Sequence, residues 1–333
     1  MVRTSRWTLL LGGALIAAVA TACTAEVDSD IDDIRDAPDA TRVPPIPDAQ
    51  STEELVDVAV GELVEVEDGI FLPVPEPGES FAIEVLHDDG GTSTTTLTHD
   101  RDGHVRIVFP DDHLVALPEG TSAACASKCS DSSFSFVFGA DSPAKWKSKL
   151  EWFYRHNQSP ISYSAAVGAF KSAAAAVPSS RNSCGMDDKV SATQVFRGET
   201  NVLPGVGVAD GEIFCKFNEL SDEINVIGWG FLPGNTLAVA CVRSVFDGGP
   251  RDRLLDVDMR FDKAYSWITG NGVPANCTDA YSLRAVATHE FGHAYGLGHT
   301  NQCNQVMAPL VSPCTNANRK FGKGDVLGLR SLY

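Results

Sequence analysis

Basic residues are scarce in this chain: 26 lysines and arginines stand against 44 aspartates and glutamates, a formal net charge of -18. A nucleic-acid partner is thereby excluded, because little is available to neutralise phosphates. No pair of cysteines is spaced C-x-x-C, which argues against a cysteine-built zinc ribbon. Long apolar runs are also missing. The one at residues 9–20 is about a dozen residues long, too short for a permanent membrane-spanning helix. Histidine is sparse, with His156 alone between positions 114 and 288, and there is no internal repeat. What remains, 43% hydrophobic and 21% charged residues, is ordinary for a soluble globular protein holding one sizeable core, or one core and a smaller domain.

The start of the chain reads as an export signal. Arg3 and Arg6 precede the apolar run, and Ala20, Thr21 and Ala22 supply small residues before Cys23. Ordinary small-x-small cleavage fits a signal peptide at residues 1–22. The same residues resemble a bacterial lipobox, which would leave Cys23 as a lipid anchor, and this is the favoured reading. Either route places the protein outside the cell, on its surface or on the periplasmic side of a membrane. Setting Cys23 aside leaves Cys125, Cys129, Cys184, Cys215, Cys241, Cys277, Cys303 and Cys314. An even set in an exported chain suggests disulfides. Cys215 with Cys241 and Cys303 with Cys314 are plausible local closures, and the connectivity is otherwise open.

Residues 23–50 are acidic and dotted with Pro38, Pro44, Pro45 and Pro47, a composition suited to a solvated tether. Residues 51–120 change texture. Val56, Val58 and Val60 alternate, as do Phe81, Ile83 and Val85, and Gly90-Gly91 and Asp102-Gly103 sit where hairpin turns belong. A small β-rich module is expected there, a pro-domain or a spacer. From residue 125 to 333 the pattern mixes. Strands are predicted at 146–154, 190–196, 212–217, 225–229, 237–243 and 254–261, and helices at 164–177, from near Asp279 or Ser282 to Tyr295, and at 325–333. The fold class is α+β.

One run carries chemistry. From His289 to His299 the chain reads HEFGHAYGLGH. Residues four apart on a helix share a face, so His289 and His293 can grip one metal ion. Glu290 follows the first histidine and sits where a general base would hold water. Gly296 allows the helix to stop and turn back, bringing His299 round as a third nitrogen ligand. Three histidines leave a position open for catalysis. Chance occurrence of all five fixed positions in such a chain is on the order of one in 10^5.

This run resembles the metzincin zinc peptidases, whose pattern continues to a downstream Met-turn; Val306-Met307-Ala308-Pro309 fits that turn. Within metzincins the chain is most similar to matrixins and their bacterial secreted relatives. Residues 234–240, GNTLAVA, resemble the family's edge strand, and residues 254–267, LLDVDMRFDKAYSW, its next strand and loop. The resemblance implies a zincin-like catalytic domain with a twisted mixed sheet, an active-site helix and a C-terminal helix. It implies one catalytic Zn²⁺ on His289, His293 and His299, a floor from Met307, and substrate aligned along Leu237 and Ala238. A histidine-built structural zinc is not expected, since Val239 stands where the family has a ligand. Calcium is a further candidate through Asp247, Asp256 or Asp262, with solvated surface carboxylates the simpler account. Ser127-Lys128-Cys129-Ser130-Asp131 is faintly similar to the family's cysteine switch, although Lys128 and Ser130 depart from it. A disulfide explains Cys129 better.

The sequence thus predicts an exported, monomeric zinc endopeptidase acting on extended polypeptides, with membrane contact only through Cys23. Zinc polarises the scissile carbonyl and acidifies water, and Glu290 takes the proton. Two other readings remain: a zinc hydrolase of a non-protein amide, and a catalytically silent surface binding protein, against which the intact Glu290 argues.

Overall fold

The computed structural model describes residues 53–108, 127–187, 189–300, 304–309 and 311–333. The signal segment, Cys23, the tether at 23–50, Cys125 and Cys303 lie outside the described residues.

Period-two alternation builds the N-terminal part. Its strands are β1 (Glu53–Leu55), β2 (Leu63–Glu67), β3 (Ile70–Pro73), β4 (Glu79–His87), β5 (Thr92–His99) and β6 (Val105–Val108). The predicted Gly-Gly and Asp-Gly turns join β4 to β5 and β5 to β6. Beyond these come β7 (Ser135–Phe136), β8 (Ala144–Lys145) and β9 (Leu150–Tyr154), then helix α1 (Tyr163–Ala174). Next are β10 (Gln194–Glu199), β11 (Val206–Ala209), β12 (Glu212–Cys215), β13 (Asn225–Gly230), β14 (Thr236–Val245) and β15 (Asp252–Asp262). The chain closes with β16 (Ser266–Ile268), β17 (Ala280–Ser282), helix α2 (Leu283–Ala294), β18 (Leu297–Gly298) and helix α3 (Lys323–Leu332).

Both parts of the chain share one mixed sheet. Its order is β1-β6-β5-β4-β14-β15-β13-β9-β10, with β8 also on β15. From β1 to β15 the neighbours are antiparallel, and from β15 to β10 they are parallel. A second sheet, β11-β12-β3-β2, packs over the N-terminal strands. The β-rich region is therefore continuous with the sheet that follows it. Strand β4 explains how, because it is apolar on both faces. Phe81, Ile83 and Val85 enter a core with Val64, Leu72, Ile107, Val239 and Cys241, while Ala82 and Leu86 join the main core with Trp152, Phe170, Val286 and Phe291. Such a strand leaves apolar surface in water unless both faces of its sheet are covered, here by the two cores.

Several boundaries differ from expectation. The strand predicted at 146–154 starts at Leu150, because Trp146 turns its Nε1 to donate to the Ala294 carbonyl at 2.6 Å. Helix α1 ends at Ala174, three residues before the predicted end, and a turn leads to Pro178. Three disulfides are present among the described residues: Cys129–Cys184, Cys215–Cys241 and Cys277–Cys314. The Cys215–Cys241 closure is as expected; Cys303–Cys314 is not formed. The Cys314 N–H donates to the Ala280 carbonyl at 2.8 Å, which seats that sulfur beside Cys277 instead.

Phe170 is the hub of the aromatic packing under α1, with ring centroids 5.4 Å from Tyr154, 5.9 Å from Trp229 and 5.0 Å from Phe261. Phe170→Ala is expected to cost about 3–5 kcal/mol through lost burial and a residual cavity, read as a lower midpoint in urea at unchanged slope.

Candidate metal centre and active site

Helix α2 begins where the Ser282 hydroxyl accepts the Ala285 N–H at 3.3 Å. All of its residues but Arg284 are buried, so the helix lies inside the protein rather than on it. That burial puts His289, Glu290 and His293 in a dry environment. The close fit is tightest at Gly292, where a Cβ would meet Met307 Sδ at 2.2 Å. The helix then stops as read from the sequence. Gly296 adopts φ 94° and donates to the His293 carbonyl, and a Cβ there would strike the Ala144 carbonyl at 2.3 Å. The turn delivers β18, which pairs with β7, and His299 follows directly.

The three imidazoles converge. Their Nε2 atoms lie 3.0 Å (His289–His293), 3.0 Å (His289–His299) and 3.1 Å (His293–His299) apart. Each Nδ1 has its own partner at 2.8 Å: the Val306 carbonyl for His289, the Leu297 carbonyl for His293 and the Thr94 hydroxyl for His299. A carbonyl can only accept, so His289 and His293 carry their proton on Nδ1. Thr94 gives its single hydroxyl proton to Glu84 Oε2 at 2.5 Å, so its oxygen too must accept, from His299 Nδ1. All three Nε2 atoms therefore present lone pairs to one another. Burial keeps the rings neutral, holding His289 down at about 4 and the other two well below the usual imidazole range. Converging lone pairs on neutral rings fit a borderline cation, and three nitrogens at this spacing suit zinc. Among the described residues this is the one group of ligand-type side chains close enough to hold a metal.

Glu290 is 1% exposed, and neither of its carboxyl oxygens has a hydrogen-bond partner in the protein. Burial pushes its pKa well above the carboxylate range. A carboxyl so placed is basic enough to take a proton from water.

Asp325 locks the turn that carries Met307. Its carboxylate accepts the N–H groups of Val306 at 2.8 Å, Met307 at 3.2 Å and Gly322 at 2.8 Å. Since the Val306 carbonyl in turn orients His289, α3 reaches the metal centre through one side chain.

Two expectations are overturned. Leu237 and Ala238 are not on an edge strand: β14 pairs with β15 on one side and with β4 on the other along its length, from Thr236↔His87 to Val245↔Glu79. The reason is the two-faced β4, which is pinned at one end by Arg243 gripping Glu79 at 3.0 and 2.6 Å. At the other end the Asp88 N–H donates to the Asn235 carbonyl at 2.9 Å. Cys129 is not a latency thiol, because its sulfur is bonded to Cys184. The carboxylates considered for calcium each have a partner within the protein. Asp247 pairs with Lys147, while Asp262 and Asp256 each accept a backbone N–H at 2.7 Å, from Ala264 and Glu223 respectively.

Sequence reasoning did not find Glu84 and Thr94. Glu84 alternates with Phe81, Ile83 and Val85, a position that reads as solvent-facing on a half-buried strand.

A histidine trio of this kind, with a glutamate between the first two ligands and a methionine turn beneath, defines a metzincin-type site. Residues 234–333 match the matrixin peptidase family. The chain is also 36% identical over 101 residues to matrilysin of Felis catus and 35% identical over 101 residues to matrilysin of Homo sapiens. Each alignment covers 30% of this chain and 33% of the relative. Metalloendoproteinase 1 of Glycine max is 35% identical over 74 residues, 22% of this chain and 24% of its own. The chain thus spans about a third of the length of the matrilysins it matches. Its C-terminal part is matrixin-like, and its three histidines are a group that could hold the zinc of such a site.

Asp325→Ala would leave three buried N–H groups unpaired, at about 1–3 kcal/mol each; a loss of more than about 3 kcal/mol in denaturant is expected. The pH dependence has a defined sign. Burial raises Asp325 from 3.8 to about 6, so its contribution is fullest below pH 4 and is lost as pH rises through 6. The melting temperature of the parent relative to Asp325→Asn should therefore be higher at pH 4 than at pH 7.

Proposed function

We propose that the chain is an exported zinc-dependent endopeptidase held closed by its own N-terminal module. The observation carrying this reading is the convergence of three proton-free Nε2 atoms beside a buried, basic Glu290. His289, His293 and His299 would hold the metal. When bound, zinc supplies Lewis acidity, polarising a peptide carbonyl and lowering the pKa of water. Glu290 removes a proton from the attacking water and passes it to the leaving amine. Met307, packed on α2 at Gly292, keeps the underside of the site apolar and fixed. The protein side chains exclude bulk water, which strengthens each of these interactions.

Substrate would lie along β14 as an added strand, with Leu237 and Ala238 offering backbone groups. Strand β4 holds that place in the intact chain, which supports reading the N-terminal module as a pro-region that must move before peptide binds. Export, with a lipid anchor at Cys23, is supported by the signal-like residues 1–22 and by three disulfides, which belong to an oxidising compartment.

Metal content and casein cleavage test this on one purified sample. About one zinc per chain is expected, with turnover in Glu290→Ala lower by roughly 10^2–10^4-fold at unchanged zinc, the range for a general base. A folded, oxidised chain without zinc would refute the proposal. Latency is tested separately. Replacing Glu79 and Arg243 together by alanine loosens β4 without stranding a charge, and casein cleavage should rise several-fold. A parent already as fast as that variant would show that the module does not block the site.

A further inference from the structure

We propose that Thr94 and Glu84, both carried by the N-terminal module, are positioning residues of the metal centre, acting through His299. The proposal rests on the histidines being metal ligands. Two of the three imidazoles are oriented by main-chain carbonyls of the same C-terminal stretch, Val306 and Leu297. The third is oriented from elsewhere in the chain: Thr94 lies 205 residues before His299. The relay runs in one direction, from His299 Nδ1–H to Thr94 Oγ1 and from the Thr94 hydroxyl to Glu84 Oε2. It fixes the tautomer that leaves Nε2 free. The Glu84 carboxyl also lies 3.3 Å from His299 Nδ1 and 3.8 Å from His293 Nδ1, along the outer edges of both rings.

The placement is built rather than incidental. Glu84 is 1% and Thr94 8% exposed. Their strands pair directly, Glu84 opposite Thr94, and Glu84 also lies opposite Ala240 of β14. Glu84 occupies the middle of the face of β4 that meets the main core, between Ala82 and Leu86. A carboxyl there is costly to bury without partners, and the Thr94 hydroxyl of the relay is one of them.

The relay couples the two halves of the molecule. A cation on Nε2 makes each Nδ1–H a stronger donor, and outer hydrogen bonds of this type raise ligand basicity. Metal therefore tightens the seat of the β4–β5 hairpin, and the seated hairpin tightens the metal, by the same factor.

The test uses the full chain, with Thr94→Val, Glu84→Gln and the conservative Thr94→Ser. Zinc affinity, measured by competition with a chromophoric chelator, should fall by roughly 10–100-fold in the first two, the range for lost outer-shell partners, and recover in Thr94→Ser. Hydrogen exchange across residues 79–99 should slow on adding zinc to the parent, and much less so in Thr94→Val. Parent-like zinc affinity in Thr94→Val and Glu84→Gln, or exchange in the parent that ignores zinc, would overturn the proposal while leaving the histidine ligands intact. A parent that binds no zinc would overturn both.

Discussion

Three nitrogen lone pairs pointed at one another across 3.0–3.1 Å repel, and the rest of the structure is arranged to hold them there. Each ring is fixed from behind by one acceptor, and the acceptors come from three separate places. Leu297 lies in the strand after the active-site helix, Val306 in the turn clamped by Asp325, and Thr94 in the N-terminal hairpin. Only a positive charge at the centre relieves the repulsion, so the fold stores an affinity before any metal arrives. Pre-organisation of this kind is what makes an open three-ligand site selective and rigid.

How much of this was legible in the sequence follows from the range of each signal. The active-site helix, its stop at Gly296 and the return of His299 depend on residues within one or two turns of each other, and helical spacing with a glycine at positive φ specifies them locally. The two hairpin turns of the N-terminal part were equally local. The partner of β14 was not. Period-two alternation says which residues share a face, but it does not say which face meets which core, and Glu84 was hidden by that ambiguity. Cys314 shows the same limit. Its nearest cysteine in sequence looked like its partner, and a main-chain hydrogen bond to Ala280 chose Cys277 instead.

The covering of β14 by β4 changes what the site means chemically. An active-site helix beside an open sheet edge invites any extended peptide. With Glu79–His87 already paired along it, the same edge is satisfied from within, and the ion pair of Glu79 with Arg243 holds the pairing with little exposure to water. Cys215–Cys241 sits at the join as well, tying β12 of the small sheet to β14 of the large one.

The pairing of β4 with β14 also dictates an order of events as the chain emerges. Val85 is made long before Val239, its partner across the strand, so the first half of the protein must wait with an apolar strand unpaired on one side. Contacts of such separation in sequence close slowly, and an unpaired edge in waiting is a place for other chains to join. The net charge of -18 is then of use during folding, keeping neighbouring chains apart until the sheet is completed from its middle.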